Sequence, residues 1–222
     1  MEDPLCFARV KTLSSLYYKQ AELSYLSFLK LEKELPASPK EPSDEGYFVE
    51  RDAHSLAEIQ TIVFSAMCIE ASVYDYAAVH LGDDFVLQHL DKLDIISKWI
   101  ISLRLISGYA LPKSGALYGS LKRLIRARNL LVHIKSEEFD ITSPIEQYER
   151  LQREGEQIKR DVHESFKCLV FMSLTLQRVA PAASYHLPWL FLDSSHGPDP
   201  LPEELRAVVN NCRQILSASV EG

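Results

Sequence analysis

Apolar residues recur at helical spacing along most of the chain, and prolines and glycines cut that pattern into segments. Leu13, Leu16, Tyr17, Leu23, Leu26 and Leu29 predict a first helix over residues 4–35, stopped by Pro36, Pro39 and Pro42. Residues 36–50, rich in Pro, Ser and Glu, read as a solvated linker. A second long helix is predicted from about Ala53 to Leu81, with Gly82 as its C-cap. Asp83 and Asp84 can cap a short third helix through Leu90, and Asp91 or Asp94 can start a fourth that ends at Gly108. Pro112 and Gly115 break the chain before a fifth helix, Leu117 to Lys135. Ser143-Pro144 opens a sixth, in which Glu149 and Arg153, and Glu156 and Arg160, stand four apart before the apolar stretch Phe166 to Val179. Pro181 ends it. The segment Tyr185 to Phe191 is aromatic and bounded by proline, and reads as a strap laid on the bundle; a last helix follows from Pro202 to about Leu216.

No repeat and no strand-like hairpin interrupts this pattern, and eight glycines in 222 residues is sparse for a sandwich or barrel. The fold class is therefore all-α. At 46% hydrophobic content the chain can build one large core, burying about 70% of its unfolded surface. No run of about 18 uncharged apolar residues occurs, and the start Met1-Glu2-Asp3-Pro4 lacks a basic leader, so a cytoplasmic protein without membrane contact is expected. Cys6, Cys68, Cys168 and Cys212 are widely separated and form no Cys-x-x-Cys pair, as buried small hydrophobes in a reducing compartment would be.

Charge changes this bland picture. Between residues 113 and 136 stand Lys113, Lys122, Arg123, Arg126, Arg128 and Lys135, with no Asp or Glu among them. Removing those six from a net charge of −7 leaves the rest of the chain at about −13, so one helix holds a positive field against a negative background. That contrast can focus a polyanion. Within the field lies His133, able to take and give protons near neutral pH, and Arg128 offers a fork for phosphate.

The run Arg128-Asn129-Leu130-Leu131-Val132-His133 resembles the Arg-x4-6-His signature of HEPN domains, in which a small polar residue follows the arginine. Upstream, Phe64 to Asp75 looks like the helix that carries a polar residue facing that motif. The resemblance covers about residues 52–180, which leaves the helix at 4–35 and the strap with the last helix at 181–218 as additions to a HEPN-like core within one domain. It implies a helical, usually dimeric protein, in many members a metal-independent ribonuclease. Carried onto this chain, His133 acts as base or acid, Arg128 holds the non-bridging phosphate oxygens, and Asn129 bonds the phosphate or orients His133. Lys122, Arg123, Arg126 and Lys135 lead the RNA strand in; Glu70 and Tyr74, four apart on one helix face, stand behind the site. Asp75 is left as a helix-surface acid, and Leu130, Leu131 and Val132 are expected to seat the motif in the core.

Five steps of about 100° put Arg128 and His133 about 140° apart on an unbroken helix, so either the helix bends or a second copy completes the site. The family resemblance implies the second. Cleavage by the RNA's own 2′-hydroxyl needs a base, an acid and positive charge on the phosphorane-like transition state, and no metal or cofactor is expected. His-Glu-x-x-His, Gly-x-Ser-x-Gly, P-loop and Gly-x-Gly-x-x-Gly motifs are absent, and no histidine has Glu three residues before it, which argues against a di-iron bundle. The expected protein is a homodimeric endoribonuclease, a toxin or phage-defence effector. The alternatives are a silent dimeric scaffold that binds a nucleotide or partner protein, and an antitoxin or regulatory subunit docking through the strap.

Overall fold

The computed structural model describes residues 11–34, 47–136, 138, 142–181 and 201–218, and every regular element among them is helical. In chain order these are α1 (Ser14–Glu34), α2 (Tyr47–Leu81), α3 (Asp83–Phe85) running into a π-helical turn (Val86–Leu90), α4 (Ile95–Ser107), α5 (Ala116–Val132), α6 (Pro144–Val179) and α7 (Glu203–Ala218). The strap at 185–191, Cys6, the start of the expected first helix and most of the linker lie outside the described residues.

Helix ends follow local chemistry. Gly82 and Gly108 take φ of 87° and 72°, the left-handed region where a Cβ is strained, so α2 and α4 stop there. Asp94 caps α4 by accepting the backbone N–H of Ser97 at 3.0 Å. Three boundaries differ from expectation. The first helix, expected from residue 4, begins at Ser14, because residues 11–13 are not helical and Lys11 takes a φ of 62°. Helix α2 begins at Tyr47, not near Ala53, because the three prolines that stop α1 all precede it. Helix α5 ends at Val132 and leaves His133 to Lys135 outside, although no glycine or proline marks that stop.

α2 is the central helix, packed against α1, α4, α5 and α6; α6 in turn carries α5, α7 and α1. Their inward residues form one apolar core that reaches every helix except α3, with a satellite of Ala77, Ala78, Val86 and Leu90 under the π-helical turn. Aromatic residues weld the elements: Tyr25 stacks on Phe166 at 4.4 Å, and buried Trp99 donates its Nε1–H to the Ile69 carbonyl at 3.2 Å. By length and composition α2 could cross a bilayer, yet over half of its most apolar stretch is buried in the bundle. Cys68, Cys168 and Cys212 are free and buried, and burial pushes the Cys68 thiol up to about 12, far from a reactive thiolate.

Asp75 departs from its expected place on the surface. It is buried and receives the hydroxyl protons of Thr12 and Ser14, the latter at 3.2 Å, where α1 begins. A carboxylate beside a helix N-terminus is favoured by the helix dipole and by the unpaired N–H groups there. Asp75 thus ties the start of α1 to α2.

Candidate functional site

Helix α5 turns Leu117, Leu121, Leu124 and Ala127 into the core at spacings of three and four, which leaves its cations outside. Arg128 lies on the side facing α2, and its guanidinium sits 3.7 Å from the Glu70 carboxylate. The Arg128 side chain is 27% exposed and that of Glu70 51%, so the pair contributes under about 1 kcal/mol and serves mainly to aim the guanidinium. His133 stands at the C-cap, its backbone N–H donating to the Asn129 carbonyl at 3.1 Å, with its imidazole in solvent and no side-chain partner among the described residues. Asn129 is exposed as well. With α5 unbroken from Arg128 to Val132 and His133 at its C-cap, helical geometry sets the two positions about 140° apart.

The other expected residues divide. Arg123 reaches Glu164 on α6 at 3.1 Å, and Arg126 faces Asp161, whose carboxyl is pushed up by burial and pulled back by Gln157, Arg126 and Arg160. Lys122 lies 5.9 Å over the Tyr118 ring, and Lys135 is fully in solvent past the helix end. Three of the six cations of the basic run, Arg123, Arg126 and Arg128, are therefore matched by Glu164, Asp161 and Glu70. Tyr74 does not join Glu70 behind the motif; its hydroxyl is 3.5 Å from Asp83 and its ring packs on the satellite core. Leu130 and Val132, expected to seat the motif, are 57% and 56% exposed, and Ile134 is 74% exposed. Only Leu131 of that trio packs on the core, since the inward stripe of α5 passes through Ala127 and Leu131. The C-terminal end of α5 thus exposes Leu130, Val132 and Ile134 as well as the imidazole of His133.

A second group of titratable chains, on the junction of α1, α2 and α6, was not singled out by its spacing. His163 Nδ1 shares a hydrogen bond with the Tyr25 hydroxyl at 2.9 Å, and Lys159 pairs with Glu32 at 3.0 Å. On α2, His54 Nδ1 lies 3.2 Å from Glu58, whose carboxyl burial lifts to about 7. His163 is half-buried; burial lowers its pKa below the ordinary histidine value, Lys167 pushes the same way, and Glu32 and Glu164 oppose them. A histidine so lowered adds stability above pH about 6.5, and that contribution is lost as pH falls through its folded value. Melting temperature should therefore fall more steeply between neutral and mildly acid pH in the wild type than in His163→Gln; parallel curves would contradict this.

Searches of protein-family models, curated proteins and solved structures return no match to this chain.

Proposed function

We propose that the chain is a metal-independent endoribonuclease of HEPN type, working as a toxin or phage-defence effector, whose cleft is shared between two copies. The observation that carries this reading is the pairing of a solvent-exposed His133 at the end of a cationic helix with an Arg128 aimed by Glu70. The RNA 2′-hydroxyl attacks phosphorus as His133 takes its proton; the bond to the 5′-oxygen breaks as that oxygen takes a proton from water, and a 2′,3′-cyclic phosphate remains. Arg128 would hold the non-bridging oxygens bidentately as charge builds on them. The divergence of Arg128 and His133 on α5 favours two copies per cleft, because two motifs across an axis supply an arginine from one helix and a histidine from the other.

The matching of Arg123 and Arg126 by Glu164 and Asp161 favours a second reading, a silent dimeric scaffold, since paired arginines draw RNA less strongly. One experiment separates the two. Purified protein in excess EDTA should cut RNA and leave 2′,3′-cyclic ends, and a substrate with 2′-deoxy at the scissile position should resist. Cleavage that needs a divalent ion, or that leaves 5′-phosphates, rejects the mechanism; no cleavage of any RNA leaves the scaffold.

A further inference from the structure

Away from its core-facing Leu117, Leu121, Leu124 and Ala127, helix α5 carries Tyr118, Lys122, Asn129 and His133 at steps of four, seven and four, a stripe about 60° wide. Lys122, Asn129 and His133 are exposed, and Tyr118, which borders the core side, is half-buried. The acids that answer this helix stand to either side of the stripe: Glu164 and Asp161 of α6 match Arg123 and Arg126, and Glu70 of α2 matches Arg128. Helix α5 itself has no Asp or Glu. Lys113, Lys122 and Lys135, standing before, within and past the helix, have no carboxylate partner among the described residues. The charge left unmatched is therefore spread along the length of α5, as a polyanion laid beside it requires.

Tyr118 is the one aromatic residue of α5. Part of its ring packs on the core and part meets water, so it is already held in place before anything stacks on it. The Lys122 ammonium lies 5.9 Å from the ring centre, at the outer limit of a cation–π contact, from where it can turn to a phosphate while a base covers the ring. Beside the ring, Gly119 has no side chain, and a Cβ there would meet only the Arg123 guanidinium at 4.0 Å. Glycine weakens a helix interior, and no close packing asks for it here; its effect is to leave the space next to Tyr118 open. Every base has a flat face, but only an unpaired base can offer it to a side chain. From Tyr118 to His133 the helix rises about 22 Å, room for about four nucleotides of extended strand. We propose that Tyr118 stacks an unpaired base of single-stranded RNA, whose phosphates run past Lys122 and Asn129 to a scissile bond about four nucleotides away at His133. The place of the cut rests on the ribonuclease reading; the stacking site does not.

Fluorescence anisotropy on the full chain reads binding apart from cleavage, with a labelled RNA strand of about twelve nucleotides whose 2′-hydroxyls are methylated so that it cannot be cut. Tyr118→Ala should raise the dissociation constant about tenfold, and Tyr118→Phe, which keeps the ring, should leave it unchanged. Gly119→Gln should raise it about fivefold by filling the space beside the ring, while the melting temperature holds or rises because glutamine is the better helix former. A duplex of the same sequence should bind wild type and Tyr118→Ala alike, since its bases are already stacked. Lys122→Gln should weaken strand and duplex together and lower the salt dependence by about one released ion. If Tyr118→Ala loses helicity by circular dichroism, Gly119→Gln carries the test. Strand binding that neither variant changes, an equal loss on the duplex, or a wild type that binds no strand would overturn the proposal. So would a wild type that takes poly-glutamate and not RNA, which would make the stripe a seat for an acidic peptide. Stacking at Tyr118 in a protein that cuts no unblocked RNA sinks the ribonuclease reading and leaves this site; Tyr118→Ala that cuts with unchanged KM sinks this site and leaves that reading.

Discussion

Mixed Arg128→Ala and His133→Ala protein, refolded together, should cleave RNA at about one quarter of the wild-type rate, although each variant alone is slowed about 10²- to 10⁴-fold. Half of the randomly mixed dimers contain one of each variant. In these, the intact arginine of one copy meets the intact histidine of the other at one site, while the second site has lost both. A cleft built within one copy would give no restoration, because every copy in the mixture then lacks an essential group. No recovery, with wild-type and variant heterodimers still active, would therefore require α5 to bend so that Arg128 and His133 converge. The solution mass of each variant checks that dimerisation is intact. Structure motivates the test through Arg128, which faces α2 and Glu70 while His133 lies on another side of the helix end.

Asp75→Ala should destabilise the fold by about 3 kcal/mol, because it removes a buried carboxylate that receives two hydroxyls and leaves Ser14, fully buried, without that acceptor. For a chain of this size that is a fall in melting temperature of about 9 °C. Asp75→Asn, which keeps an acceptor oxygen but loses the charge, should recover about half of the loss. A fall under about 2 °C for the alanine variant would mean that Thr12 and Ser14 find water instead, and that α1 is held by its apolar face alone.

The contrast between Asp75 and Asp94 shows what kind of information a sequence carries. Asp94 caps a helix that starts at the next residue, so local spacing offered Asp94, beside Asp91, as the start of α4 and Gly108 as its end. Asp75 serves a helix more than sixty positions earlier, and nothing in its own neighbourhood tells a surface acid from a buried cap. The same holds at the candidate site. Arg128 and Glu70 were both legible, and the structure brings them together; the acids that temper the basic run were not. A signal for them existed, since Arg123 and Arg126 stand three apart on α5 and Asp161 and Glu164 stand three apart on α6, in the order that antiparallel helices would match. It becomes readable only once α5 and α6 are known to be neighbours. The exposure of Leu130 and Val132 was hidden for a related reason: the apolar stripe of α5 leaves the core one turn before the apolar sequence ends.

Helix α2 answers to three masters along one stretch of thirty-five residues: it closes the core through Ile62, Ile69 and Val73, aims Arg128 through Glu70, and shows Leu56 and Ile59 to the outside. Substitutions there must satisfy neighbours on every side at once, whereas the opening turns of α6, exposed from Ile145 to Glu154 apart from partly covered Gln147, satisfy few. Among descendants of this chain, α2 should drift slowly and the start of α6 quickly, and an engineer who wishes to alter the protein without disturbing its working parts has the first three turns of α6 in which to write.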